Sequence, residues 1–198
     1  KSYLLKSFRF VFFLSFPMMY GLIAISSNLV PWFFGSGYDK VIPNMMVIAP
    51  ILVIIALSNI MGTQYLLPIG RQKEYTLSVV IGCIVNFSMN LMLIPRFLSI
   101  GAAIATVIAE LSGTGVQIYC IKEDFNFRQI VKENIHYIVS SFVMFFITYF
   151  LARYLSPSIM NTFLCVILGG IIYLVILIIM KDDILFEVRD LIKIKITK

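Results

Sequence analysis

Polar side chains between residues 75 and 121 have the types and the spacing to take part in chemistry. Within one apolar run, four small or polar residues recur at every fourth position, namely Ser78, Gly82, Asn86 and Asn90. The next apolar run carries a second series with spacings of three and four, namely Ala103, Thr106, Glu110, Gly113 and Gln117. Residues three or four apart share one face of a helix. The pattern therefore predicts two helices, joined by a tight turn at Pro95-Arg96, whose polar faces border protein or water rather than lipid.

Glu110 is the strongest candidate for a functional side chain. At ~1.5 Å per residue it lies ~16 Å below the outer end of its helix, and Asn86 lies ~12 Å below the outer end of the preceding one. A carboxyl group at this depth marks an ion or substrate pathway in many membrane proteins. We therefore predict that Glu110, with Asn86, Asn90 and Thr106, takes part in ion-coupled transport. The alternative is a structural hydrogen bond between Asn86 and Glu110, with Gly82 allowing close helix approach.

Composition places these helices in a membrane. Of the 198 residues 60% are hydrophobic and 13% are charged, whereas soluble domains average about 25% charged residues. The net charge of +6 is spread between apolar runs and forms no patch, so we predict no nucleic-acid partner. The three cysteines all lie in apolar runs, and their odd number favours free buried thiols over disulfides.

Six apolar windows of about 19 to 30 residues are each long enough to cross a ~30 Å hydrocarbon core. The predicted fold is an all-α, polytopic membrane protein with six transmembrane helices. Four helices are expected in residues 1–121, an amphipathic connection at 122–135, two helices at 136–180 and an amphipathic basic tail at 181–198. Both amphipathic segments are predicted to lie in the headgroup layer, or alternatively on a soluble partner. Because the first residue is Lys1 and not Met, we expect the chain to be the C-terminal part of a longer protein.

The basic residues predict the orientation. Thirteen of the 16 Lys and Arg residues fall in the two termini and in the connections that share their side of the membrane. The other three are Lys40, Arg96 and Arg153. Since cytoplasmic connections carry the excess of positive charge, both termini are predicted to be cytoplasmic.

Residues typical of an enzyme are not arranged in any recognisable pattern. The one histidine, His136, lies at a predicted membrane interface and is interpreted as a polar interface residue. No metal-ligand spacing and no phosphate-binding loop is visible, and the connections are too short to hold a catalytic domain. The sequence predicts no enzyme, no metal and no cofactor.

Several short motifs occur in a recognisable order. They are Phe34-Gly35-Ser36-Gly37-Tyr38, the run from Leu66 to Tyr75, Gly82 with Asn86 and Asn90, Ile94-Pro95, and Gly101 to Thr106 followed by Glu110. In order and spacing they resemble the polysaccharide repeat-unit flippases of the multidrug/oligosaccharidyl-lipid/polysaccharide exporter superfamily, mainly over residues 10–121. The resemblance implies a two-lobed transporter of about twelve to fourteen helices, of which this chain supplies the last six.

The resemblance also implies a function. Such a protein moves undecaprenyl-diphosphate-linked oligosaccharide from the cytoplasmic to the outer leaflet of the bacterial cytoplasmic membrane, by alternating access. Its expected partners are the lipid-linked oligosaccharide, the lipid bilayer and the polysaccharide assembly machinery. Gly82, Asn59 and Gln64 are then expected along the cavity or its packing stripe. Three cations are candidates for attracting the diphosphate at the cytoplasmic mouth, with a purely topological role as the alternative; they are Arg9, Arg71 and Lys73.

Other functions remain open at this point. A multidrug or lipid II exporter of the same superfamily has similar helices. A membrane-embedded polysaccharide polymerase or glycosyltransferase needs a large extramembrane loop, and a structural subunit needs no midplane carboxyl group. The last two helices are nearly uniform in their apolar character, so we expect them outside the sugar path. Their seam at Gly169-Gly170 is a candidate groove for the prenyl tail, or a lipid-facing packing surface.

Overall fold

The computed structural model describes residues 2–182 and residue 184, and all regular structure in them is helical. The predicted all-α class is therefore confirmed. The six α-helices are α1 (Ser2–Phe33), α2 (Val41–Ile48), α3 (Ile51–Asn59), α4 (Gln72–Ile121), α5 (Phe127–Tyr154) and α6 (Ile159–Ile179), and a π-helical segment (Ile60–Leu66) follows α3.

Helix α4 folds back on itself. Leu98 has non-helical backbone angles, φ 52° and ψ −128°, and here the chain reverses. We call residues 72–97 the first arm and residues 99–121 the second arm. The predicted turn at Pro95-Arg96 was thus misplaced by less than one helical turn, because the first arm continues helically through Pro95. A glycine permits the tight reversal, since a Cβ atom on Gly101 would lie 2.5 Å from the carbonyl oxygen of Leu93.

Five helices in the described part are long and apolar enough to cross a membrane. They are α1, the rod from Val41 to Leu66 that contains α2, α3 and the π-helical segment, α4, α5 and α6. Helix α4 has 50 residues, whereas one crossing needs about 20. These helices support a polytopic membrane protein.

The π-helical segment lies close against α4. A Cβ atom on Gly62 would lie 2.6 Å from the ring of Tyr75 and 3.1 Å from Nε2 of Gln117. Only a glycine allows the segment to approach the two arms this closely. π-Helical turns are frequent at functional sites, and this one lies beside the polar face of α4.

A second group of helices, α1, α5 and α6, packs around an aromatic and aliphatic core. Its buried members include Phe8, Phe12, Tyr137, Tyr173 and Leu177. We refer to these three helices as the α1/α5/α6 bundle.

Two amphipathic segments were predicted outside the membrane. Asn126 caps α5 as expected, because its Oδ1 accepts a hydrogen bond from the backbone N–H of Gln129 at 3.2 Å. The helix then continues unbroken to Tyr154, so residues 127–135 form the first turns of α5 and not a separate helix. The predicted tail helix falls mainly on residues 183 and 185–198, which lie outside the described residues.

Candidate functional site

The polar faces of the two arms of α4 meet, as the spacing predicted, and border an open cleft of about 390 Å³. The lining residues are Ser58, Ser78, Val79, Gly82, Cys83, Asn86, Phe87, Asn90, Ala109, Glu110, Gly113, Thr114 and Gln117. Small residues bring the arms together. A Cβ atom on Gly113 would lie 3.0 Å from the carbonyl oxygen of Ser78, and one on Gly82 would lie 3.5 Å from that of Ala109.

The end of the cleft nearest the start of α4 is closed by a hydrogen-bonded chain. Ser58 donates to Oε1 of Gln117 at 3.1 Å, and Nε2 of Gln117 donates to Oγ of Ser78 at 3.1 Å. Ser78 donates in turn to the carbonyl oxygen of Tyr75 at 2.7 Å. Gln117 and Ser78 are both buried. This chain fixes the rod, the first arm and the second arm relative to one another.

The middle of the cleft is less constrained. Asn90 donates to Oδ1 of Asn86 at 2.9 Å. Glu110 is partly exposed, and among the described residues no hydrogen bond or ion pair involves its side chain. The predicted Asn86–Glu110 hydrogen bond is therefore not formed, although both residues line the same cleft. The buried hydroxyl of Thr114 also has no hydrogen-bond partner among the described residues.

Three predicted site residues lie outside the cleft lining. Thr106 donates to the carbonyl oxygen of Ala102 in its own helix, at 2.9 Å. Asn59 and Gln64 are exposed on other faces of the rod. The structure thus brings together Gly82, Asn86, Asn90 and Glu110 and leaves these three apart.

Arg71, a candidate for binding phosphate, is engaged within the protein. Its guanidinium donates to Oε1 of Glu74 at 3.0 Å, to Oδ2 of Asp124 at 3.0 Å and to the carbonyl oxygen of Cys120 at 2.8 Å. These contacts tie the loop before α4 to the end of α4, and two carboxylates compensate the charge. Lys73 is exposed, and within the described part of the chain it forms no ion pair.

Arg9 belongs to a cluster that sequence reasoning missed. Its Nε donates to the hydroxyl of Tyr137 at 3.1 Å and its Nη2 to Oδ2 of Asp182 at 3.4 Å. The same carboxylate oxygen accepts from Tyr137 at 2.6 Å and lies 2.8 Å from Nε2 of His136. Burial raises the pKa of Asp182, but these hydrogen bonds and the Arg9 charge outweigh burial and hold the pKa below its usual value.

The local sequence did not indicate this cluster. Asp182 is the second residue after the last apolar run, and an ionisable residue at such a boundary is usually exposed. Here its side chain is 1% exposed. His136, interpreted as an isolated polar residue, is one of its partners. Within residues 2–182 and 184, no three His, Cys, Asp or Glu side chains are grouped so that they could hold a metal ion.

Comparison with known proteins gives two similarities, and no family model matches the chain. The chain is 28% identical over 103 residues to a protein of Escherichia coli (strain K12) named "Putative O-antigen transporter". That alignment covers 52% of this chain and 25% of the relative. The chain is also similar to the structure titled "Lipid II flippase MurJ, inward closed conformation", with a TM-score of 0.78 and 20% sequence identity. This match covers 92% of the chain and 39% of the flippase.

The predicted resemblance to polysaccharide repeat-unit flippases is confirmed over part of the chain by the relative named as an O-antigen transporter. The chain spans about a quarter of the curated relative and about two fifths of the structural one. The structural similarity shows a shared fold. Both relatives are named as a transporter or a flippase, and neither name describes an enzyme.

Proposed function

We propose that the chain forms part of a flippase that moves undecaprenyl-diphosphate-linked oligosaccharide units across the bacterial cytoplasmic membrane by alternating access. The observation that carries the proposal is the cleft between the arms of α4. A polar, open cleft within apolar helices is costly unless water or a polar solute occupies it. The name of the O-antigen transporter relative supports a lipid-linked saccharide as the solute.

The proposal includes six membrane crossings with both termini in the cytoplasm. The two arms of α4 count as separate crossings, because Leu98 reverses the chain. Cysteines introduced one at a time at Ser36 and Ser99 in the full-length protein, after the exposed Cys83 and the partly exposed Cys120 are replaced by serine, should react with an impermeant reagent from outside. Cysteines at Gln72 and Gln129 should not react. All four positions are exposed, so the opposite labelling pattern would show that the protein has the opposite orientation.

Glu110 is proposed to couple transport to ion movement. Its carboxylate faces the cleft without a partner in the described part of the chain, beside the amides of Asn86 and Asn90. A carboxylate with free oxygens can accept a proton or bind a cation, and amide oxygens can complete the coordination of that cation. Thr106 lies one helical turn before Glu110, and Asn59 and Gln64 lie on the neighbouring rod. These three are proposed to border the route in a second conformation.

The prenyl tail of the substrate is proposed to lie in a separate groove between α1, α5 and α6. This groove has a volume of about 600 Å³, and its lining is almost entirely apolar. Two adjacent glycines of α6 contribute to it in different ways. A Cβ atom on Gly169 would lie 2.8 Å from Oγ1 of Thr148, whereas one on Gly170 would meet nothing within 4 Å. Gly169 thus allows helix packing, and Gly170 leaves the groove open.

This difference gives a sharp test of the groove. Gly170→Trp should fill the groove and reduce surface polysaccharide, while the protein folds normally. Ile167→Trp is the matched control, because Ile167 is exposed on the same helix and does not line the groove. Equal surface polysaccharide in the two variants would exclude the groove as the tail site.

The substrate itself is tested in a strain that lacks the full-length protein. We expect lipid-linked repeat units to accumulate in the inner leaflet and surface polysaccharide to disappear. A second candidate is export of lipid II, which the fold shared with a lipid II flippase favours. Loss of peptidoglycan synthesis with normal surface polysaccharide would support that candidate. Normal surface glycan with heightened sensitivity to cationic drugs would instead indicate a multidrug exporter.

A further inference from the structure

A second polar pocket lies about one turn of α1 away from the groove, where the start of α1, the first turns of α5 and the end of α6 meet. Its volume is about 600 Å³. The charged or titratable lining residues are Lys6, Arg9, Glu133, His136, Lys181 and Asp182. The function proposed above assigns no role to this pocket.

The floor and the rim of the pocket differ in charge. At the floor, the buried carboxylate of Asp182 is held by Tyr137, His136 and Arg9. On the rim, Lys6 and Lys181 are exposed, and neither forms an ion pair with another described residue.

The acidic side chain near the rim is partly engaged as well. Glu133 accepts a hydrogen bond from Gln129 at 2.7 Å. This hydrogen bond leaves the negative charge of Glu133 in place, so the rim keeps a net positive charge from Lys6 and Lys181, while Arg9 and Asp182 pair with each other at the floor. Lysine ammonium groups at such a site attract anions, and phosphate in particular.

The pocket also has an apolar side. Leu5, Ile130 and Met180 complete its lining together with the polar residues, and they lie where three apolar helices begin or end. This is the level of the lipid headgroups for helices that cross a bilayer. Apolar walls do not stabilise a free phosphate ion. A phospholipid, in contrast, presents both a phosphate and the start of its acyl chains.

We propose that this pocket binds the phosphate headgroup of an anionic phospholipid from the leaflet at which α1 begins. The charge distribution predicts that this leaflet is the cytoplasmic one. Basic pockets between helices on that side of a membrane bind anionic headgroups in other proteins. The site would hold a lipid against α1, α5 and α6 together. The proposal does not depend on the transported substrate, because binding can be measured without transport.

The test uses the full-length protein in detergent, titrated with phosphatidylglycerol and followed by native mass spectrometry. Lys6→Gln and Lys181→Gln should each weaken binding by about fivefold, since a basic residue near an anionic membrane contributes about 1 kcal/mol. The double variant should lose roughly twenty-fivefold. Because both lysines are exposed, thermal unfolding without lipid should not change.

Matched controls separate a pocket from general surface charge. Arg128→Gln and Lys132→Gln remove exposed cations from the first turns of α5 that do not line the pocket. They should leave phosphatidylglycerol binding unchanged. An equal loss in these controls would overturn the proposal.

The choice of probe identifies the source of the phosphate. Zwitterionic phosphatidylcholine should bind weakly and without sensitivity to the two rim lysines. Inorganic phosphate should compete only at much higher concentration than the lipid. Competition by inorganic phosphate at the same concentration would assign the site to a free anion, and displacement by a prenyl diphosphate alone would assign it to the transport substrate. Either result would contradict the proposal.

Discussion

The cleft of α4 and the α1/α5/α6 bundle use polar side chains in opposite ways. In the bundle, Asn28 is 1% exposed, and its amide donates to the carbonyl oxygens of Ala152, Leu155 and Ser156 at 3.1 to 3.3 Å. Its oxygen accepts from Thr162 at 2.7 Å. In the cleft, Asn86 bonds only to Asn90 through its side chain, and Glu110 has no partner in the described part of the chain.

The difference separates polar groups that hold the helices together from polar groups that can still bind a solute. A buried amide whose donors and acceptor are all used holds helices together, and it costs free energy to remove. A polar group that faces an open cleft contributes little to folding and can still bind a solute. We therefore expect the bundle to determine stability and the cleft to determine transport.

The largest expected effect comes from the same substitution in the two regions. Asn28→Leu removes the side-chain donor from the carbonyl oxygens of Ala152 and Leu155 at the end of α5 and the acceptor from the hydroxyl of Thr162. We expect a loss of about 2–3 kcal/mol in the free energy of unfolding, measured in detergent with a denaturant. Asn86→Leu should change it by less than about 0.5 kcal/mol, since the side chain only borders the cleft.

Transport gives the complementary comparison. Asn86→Leu should impair transport at normal expression. The loss of transport in Asn28→Leu should be proportional to the lower abundance of that variant. Equal destabilisation by the two variants would remove the distinction between the regions.

A smaller effect is expected at the other end of the bundle. Asp182→Asn weakens the hydrogen bonds to Tyr137 and His136 and removes the ion pair with Arg9, and it should cost about 1–2 kcal/mol at pH 7. Because the pKa of Asp182 is lower in the folded protein, this stabilisation is complete above the unfolded value of about 3.9. It disappears as the pH falls through the lower folded pKa.

The measurement is the difference in unfolding free energy between wild type and variant as a function of pH. It should be constant from pH 7 to about 5 and shrink below about pH 4. A difference that grew on acidification would contradict the proposed contacts.

These regions also show what sequence could and could not predict. The cleft was predictable, because helical spacing alone places Ser78, Gly82, Asn86 and Asn90 on one face. The apolar windows likewise predicted the membrane helices. Asn28 and Asp182 were not recognised, since their partners lie more than 100 and more than 40 positions away, respectively. No local pattern reports contacts between such distant segments.

The position of the α4 reversal was missed for a different reason. Proline suggested a turn at Pro95, but the fixed φ angle of proline is compatible with a helix. The reversal uses Leu98, whose φ of 52° lies in a region that leucine rarely adopts.

The smallest expected effect tests this strained turn, which holds the two arms of the cleft together. Leu98→Gly should relieve the strain and raise the free energy of unfolding by up to about 1 kcal/mol. Phe97→Gly is the control, because Phe97 is also exposed but helical, and glycine there should cost about 1 kcal/mol. A loss of stability in both variants would show that Leu98 is not strained.

The most direct test of the difference between the two regions is transport by Glu110 variants of the full-length protein. Glu110→Gln keeps the size and polarity of the side chain but removes its charge. Glu110→Ala removes the charge and the polar group together. Flipping of lipid-linked repeat units in the two variants is compared with their unfolding free energy. We expect both variants to lose transport while unfolding stays within about 0.5 kcal/mol of wild type. Full transport with glutamine, together with lost transport and lost stability with alanine, would make Glu110 a structural residue and contradict its role in the cleft.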